Sequence, residues 1–144
     1  MKFVVSQNQD EISLYYGLDR NSVRKFFNCS VQEFKKSEFS KNTTDDFNEI
    51  NIHCFYDENN KLSEIEIFRP NKFCIELNSN FNWMNRKNNE ILEFLEKNNF
   101  HGDIEIEDGL LVDSYAIATV IDGKGLTECC YVDLAKISYL NCYK

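Results

Sequence analysis

An α+β fold, an antiparallel sheet with its helices packed on one face, is predicted by three observations. Apolar and polar residues alternate on both sides of a polar turn in two places, Ile50–Tyr56 with Leu62–Phe68 and Leu110–Ile121 with Leu126–Leu134. Each of these hairpins follows a stretch with helical spacing, Leu18–Phe27 and Asn88–Asn98. The helices are too few to cover both faces of a parallel sheet. The chain therefore reads as a single domain, 1–144, built from two similar helix-hairpin-strand units at approximately 12–78 and 79–144.

Taken in order, residues 2 to 5 form a short opening strand. Asp19 is placed to cap a helix on which Val23, Phe26 and Phe27 make one apolar stripe. Ser30-Val31-Gln32-Glu33 matches a capping box and predicts a second short helix presenting Val31 and Phe34 to the core. Lys35 to Asp46 is polar, with Phe39 as its one apolar anchor, and reads as a mobile loop. Alternation then sets Ile50, Ile52, Cys54 and Tyr56 against Asn51, His53 and Phe55. After the turn at Asp57 to Asn60, Ile65 and Ile67 stand against Glu64, Glu66 and Phe68. Pro70 ends that strand, because it has no N–H for a central ladder.

Phe73, Ile75 and Leu77 predict a third strand. Phe81-Asn82-Trp83-Met84 is either a partner anchor or, the more common use of such a group, a staple ahead of the helix that carries Ile91, Leu92, Phe94 and Leu95. The rest reads as a strand over Ile104–Glu107, a turn at Gly109, a strand over Leu111–Ile121, a hairpin at Asp122-Gly123-Lys124-Gly125, a strand over Thr127–Leu134 and a last one near Ile137–Cys142.

Composition bounds the function. Hydrophobic residues make up 42% and aromatics 14%, too much for a disordered chain, and a chain of 144 residues buries roughly 70% of its unfolded surface. Acids outnumber bases 24 to 16, for a net charge of −8, which opposes phosphate neutralisation and suits a basic protein partner. No apolar run is long enough to span a bilayer, and Met1–Gln7 turns polar too early for a secretory segment. A cytoplasmic setting is expected, with Cys54, Cys74, Cys129 and Cys130 reduced and acting as small apolar residues in strands.

Reaction centres find little support. Asp103–Gly109 is acidic, but an EF-hand needs Gly at its sixth position and Glu at its twelfth, where this chain has Asp108 and Ser114. Alternation explains it better, with Asp103, Glu105 and Glu107 on one face and Ile104 and Ile106 toward the core. His53 and His101 are the only imidazoles. Pairing either with Cys54 or Cys74 would need an electropositive setting that this acidic chain does not advertise. Cys129 and Cys130 are adjacent rather than C-x-x-C, and glycine-rich phosphate loops are absent, so neither metal nor cofactor is expected.

Three phrases carry a resemblance: Tyr16–Phe27, Cys54–Asp57 with Leu62–Phe68, and Glu107–Ser114. They resemble small bacterial proteins found near toxin genes, similar in layout to immunity proteins of contact-dependent and polymorphic toxin systems. That layout is also similar to the duplicated helix-plus-sheet architecture of the β-lactamase inhibitor protein. The chain departs from the secreted inhibitor in lacking a signal segment and an evident disulfide pair, and no inhibitory residue carries over. The resemblance implies an immunity protein that binds a cognate toxin, with a basic nuclease domain the partner expected, and is not an enzyme. The acidic and aromatic residues expected to bind that partner are Tyr56, Asp57, Glu58, Glu64, Glu66 and Glu105. The alternatives are a hydrolase or small-ligand protein with a cleft between the units, and a scaffold whose acidic face is covered by a second copy.

Overall fold

The computed structural model describes residues 3–7, 10–69, 74–77, 81–97, 103–106, 108–112 and 116–136, and their side chains over 14–69, 81–97, 108–112 and 116–136. In chain order the elements are β1 (Phe3–Gln7), β2 (Asp10–Leu14), α1 (Arg20–Phe27), β3 (Gln32–Phe34), β4 (Thr44–Phe47), β5 (Ile52–Tyr56), β6 (Leu62–Phe68) and β7 (Cys74–Leu77). Then follow α2 (Asn88–Lys97), β8 (Asp103–Ile106), β9 (Gly109–Val112), β10 (Ile117–Ile121) and β11 (Thr127–Asp133), after which 134–136 are helical.

Two antiparallel sheets result. The small one has the order β2-β1-β7, and the large one β3-β4-β5-β6-β11-β10-β9-β8. The large sheet is thus two four-stranded meanders joined where β6 pairs with β11, Ile65 opposite Val132 and Ile67 opposite Cys130. Residues directly opposite across a ladder share a face. Phe47, Ile52, Cys54, Ile65, Ile67, Cys130, Val132, Ile117, Val112 and Leu110 therefore form one continuous apolar surface, and all are buried.

Both helices bury against that surface. Asp19 caps α1 by accepting a hydrogen bond from the Asn21 backbone N–H at 3.1 Å, and Asn28 closes it in a left-handed conformation. Val23 and Phe27 point inward, with the Phe27 ring 5.0 Å from Phe47. In α2, Ile91 and Leu95 are fully buried, one turn apart on one face. Phe81 stacks on Phe94 at 4.3 Å and Trp83 is 1% exposed, so this aromatic loop is stapled to the helix. Gly109 opens β9 rather than forming a turn; a Cβ there would lie 1.9 Å from the Thr119 carbonyl oxygen.

Three expectations are corrected, and a small sheet is added. Residues 32–34 are an edge strand, not a helix: Ser30 spends its hydroxyl on Glu49, and Phe34 pairs across the ladder with Thr44. The polar loop ends at 43, because β4 uses the acidic run Thr44-Asp45-Asp46 as a strand whose Asp45 is neutralised by arginines. Leu111–Ile121 is two antiparallel strands, with Ala116 at φ +58° just before the second begins. Asp10–Leu14 is a strand because Phe3–Gln7 pairs with it, and Cys74–Leu77 joins this small sheet rather than the large one. The strand expected near 137–142 lies outside the described residues, as do Asp113 to Tyr115.

A candidate interaction face

The alternation that buries one face of the large sheet against α1 and α2 leaves the other free of those two helices. On β5 and β6 this helix-free face carries His53, Phe55, Glu64, Glu66 and Phe68. On β11 it carries Cys129, Tyr131 and Asp133, and on β9 and β10 Leu111, Ala118 and Val120. Leu111 is 41% and Val120 42% exposed, a large apolar contribution to open surface.

Carboxylates and rings interleave along the central strands. Glu66 stands opposite His53 on one side and Tyr131 on the other; Glu64 stands between Phe55 and Asp133. The His53 ring packs edge-on against Phe68 at 4.8 Å and Phe34 at 5.2 Å, and its Nε2 lies 3.3 Å from Asp46 Oδ1. Burial, and next to it the Glu64 carboxylate, push the Tyr131 hydroxyl well above its ordinary range. Among the described residues no cation is ion-paired with Glu64 or Glu66.

One rim of this face is held by a buried ionic network. Arg20 Nη2 reaches Asp45 Oδ1 at 2.5 Å and Thr43 Oγ1 at 3.0 Å, while Nη1 reaches Asn42 and Asn60. Arg24 grips the same carboxylate through Nε and Nη2, both at 2.7 Å, and Glu33 at 2.7 Å. Burial alone would raise the Asp45 carboxyl, but the hydrogen bonds from Arg24 and Arg20 together outweigh it and hold it below its usual range. The arginines thus tie α1 to loop 35–43 and to the β5–β6 turn.

That loop lies over the sheet. Lys36 carries its ammonium 4.4 Å from the centre of the Phe55 ring, and Phe55, although on the helix-free face, is only 7% exposed. A cleft of about 230 Å³ opens between the loop residues Lys36, Ser40 and Asn42 and the sheet residues Phe55, Ser63 and Glu64. A second hollow, of about 140 Å³, is lined by Leu111, Ala118, Tyr131, Asp133 and Lys136.

Of the six residues expected to bind a partner, Glu64 and Glu66 lie together on this face. Tyr56 does not: it follows Ile52 and Cys54 at period two onto the helix side, where it is 6% exposed under Arg20, its hydroxyl facing Asp45 and Cys54 without a well-formed hydrogen bond. Asp57 spends Oδ1 on the backbone N–H groups of Asn59 and Lys61, and Glu58 is exposed at the turn. Glu105 pairs with Leu110 across the β8–β9 ladder, and its side chain lies outside the described residues.

Tyr131 and Asp133 were legible as an alternating pair, but their place beside Glu64 and Glu66 follows from a pairing distant in sequence. His53 and Cys54 point to opposite faces of β5, and burial pushes the Cys54 thiol far above its ordinary range. His101 and the side chain of Cys74 lie outside the described residues. Among the described residues no three His, Cys, Asp or Glu side chains converge to hold a metal ion. No described helix is long and apolar enough to cross a membrane. Comparisons with protein-family models, with curated proteins and with solved structures find no match to this chain.

Proposed function

We propose that this protein binds a basic protein through the helix-free face of its large sheet and, as its likeness to immunity proteins implies, that the partner is a toxin domain it neutralises in the cytoplasm. The observation that carries this reading is the row Glu64, Glu66, Asp133 set among Phe55, Phe68 and Tyr131. Glu64 and Asp133 oppose each other directly across the β6–β11 ladder, an arrangement that costs stability in the free protein and is relieved by an incoming cation. Aromatic rings beside the carboxylates supply the apolar contact that central interface residues need. Catalysis and cofactors have no part in it.

Two copies of one helix-plus-four-strand unit build this face in our reading. Its support is a set of matched main-chain bonds. Leu62 N–H donates to Leu18 O and Thr127 N–H to Arg86 O, each at 2.8 Å; Gly17 N–H donates to Leu62 O and Asn85 N–H to Thr127 O. Val23 and Phe27 in α1 answer to Ile91 and Leu95 in α2.

The test is capture and rescue. A protein captured by the purified chain should kill cells when produced alone and spare them when this chain is produced with it. Glu64→Lys with Glu66→Lys should weaken that complex at least about tenfold and flatten its salt dependence. Unchanged affinity would exclude this surface, and a captured protein that harms no cell would exclude neutralisation.

A further inference from the structure

A lysine of this chain already sits on the aromatic part of the helix-free face. The Lys36 ammonium sits 4.4 Å from the Phe55 ring centre and 5.5 Å from that of Tyr131, at the mouth of the cleft whose sheet wall includes Glu64. Three carboxylates surround these rings on β6 and β11, yet Lys36 forms no ion pair among the described residues. It rests on ring faces alone, from an exposed position on a loop.

We propose that Lys36 is an internal placeholder, and that Phe55, Tyr131 and Glu64 form an anchoring subsite for one arginine of the basic partner, which displaces Lys36 on entry. This rests on the reading of the helix-free face given above and names the group that face receives. Guanidinium suits the subsite better than ammonium. It is more weakly hydrated, stacks flat on aromatic rings and meets a carboxylate through a fork of donors, whereas Lys36 uses only its point charge. At about 230 Å³ the cleft is smaller than the ~300 Å³ at which small-molecule sites begin, and fits one long side chain. Moving an exposed, unpaired lysine aside costs little.

The experiment titrates the full chain with hexa-arginine amide, followed by backbone amide NMR and calorimetry, in wild type, Lys36→Ala and Lys41→Ala. Lys41 lines the same cleft, so its removal changes the charge equally without freeing a ring. Shifts should centre on Phe55, Glu64 and Tyr131, and Lys36→Ala should tighten binding about two- to fivefold beyond Lys41→Ala. Equal effects of the two variants, with shifts still at Glu64 and Glu66, would overturn the placeholder and leave the acidic face standing. Shifts confined to other surfaces would overturn both. Equal affinity for hexa-lysine amide would overturn the guanidinium assignment.

Discussion

Arg20 and Asp45 join the first helix to the fourth strand: the guanidinium Nη2 lies 2.5 Å from a carboxylate that has no solvent exposure. Asp45→Asn removes the negative charge hydrogen-bonded by both Arg20 and Arg24, turns one of its two acceptor oxygens into a donor, and leaves the buried Arg20 guanidinium only the half-exposed Glu33, at 3.8 Å, as counter-charge. Breaking such a pair costs about 3–5 kcal/mol, and urea denaturation should show a loss of that size. A loss below about 1 kcal/mol would mean that water replaces the carboxylate.

Asp57 and Asp122 do the same job in the two hairpins. Oδ1 of Asp57 accepts from Asn59 N–H and Lys61 N–H at 2.8 and 3.0 Å, and Oδ1 of Asp122 accepts from Lys124 N–H and Leu126 N–H at the same distances. Alanine at either position should lower Tm by roughly 3 °C, and asparagine, which keeps the acceptor, by less. Equal effects of alanine and asparagine would point to the charge instead.

Acid should destabilise the fold chiefly through Asp122 and Asp45, with the exposed Glu33, also held low by Arg24, adding less. Asp122 is held at about 2, first by the Leu126 backbone N–H and then by Arg69, and Asp45 is also depressed below the usual 3.8. A carboxyl with a depressed folded pKa contributes stability above its unfolded value and loses it as pH falls through the folded one. Stability should therefore be full above about pH 5 and fall between 3.8 and about 2. Denaturation curves at stepped pH check this, and Asp45→Asn should show a shallower fall.

Thiol reactivity should follow burial. Cys54 and Cys130 are buried and their thiols are pushed far up; burial and then Glu66 hold Cys129 at about 12. Cys29, half-buried, is raised as well. Timed alkylation at pH 8, read by peptide mass spectrometry, should label Cys29 before Cys129, and Cys54 and Cys130 only in denaturant. Rapid native labelling of Cys54 would contradict its burial between the sheet and the helices.

Local pattern made much of this fold legible. Period-two alternation identified β5, β6 and β11 and assigned Glu64 and Glu66 to their face, and helical spacing with a capping Asp identified α1. Ser30–Glu33 misled because a capping box and an edge strand share the same residue types, and the Glu49 partner that decides between them is distant in sequence. Asp45 looked like loop solvation because nothing nearby announces two arginines one helix away. Lys36, Tyr131 and Asp133 escaped for the same reason: their neighbours come from other strands.

The β6–β11 seam also sets the order of assembly. Every other neighbouring pair in the large sheet joins strands consecutive in the chain, so each meander closes from local contacts, whereas Phe68 must find Cys129 across the whole stretch that carries β7, α2 and β8 to β10. Non-local pairing is slow, so within the large sheet the seam is expected to close after the two meanders. Until it closes, β6 offers an unpaired edge with Ile65 and Ile67 on its apolar side. During synthesis, the hazardous interval for self-association runs from completion of the first meander to arrival of β11.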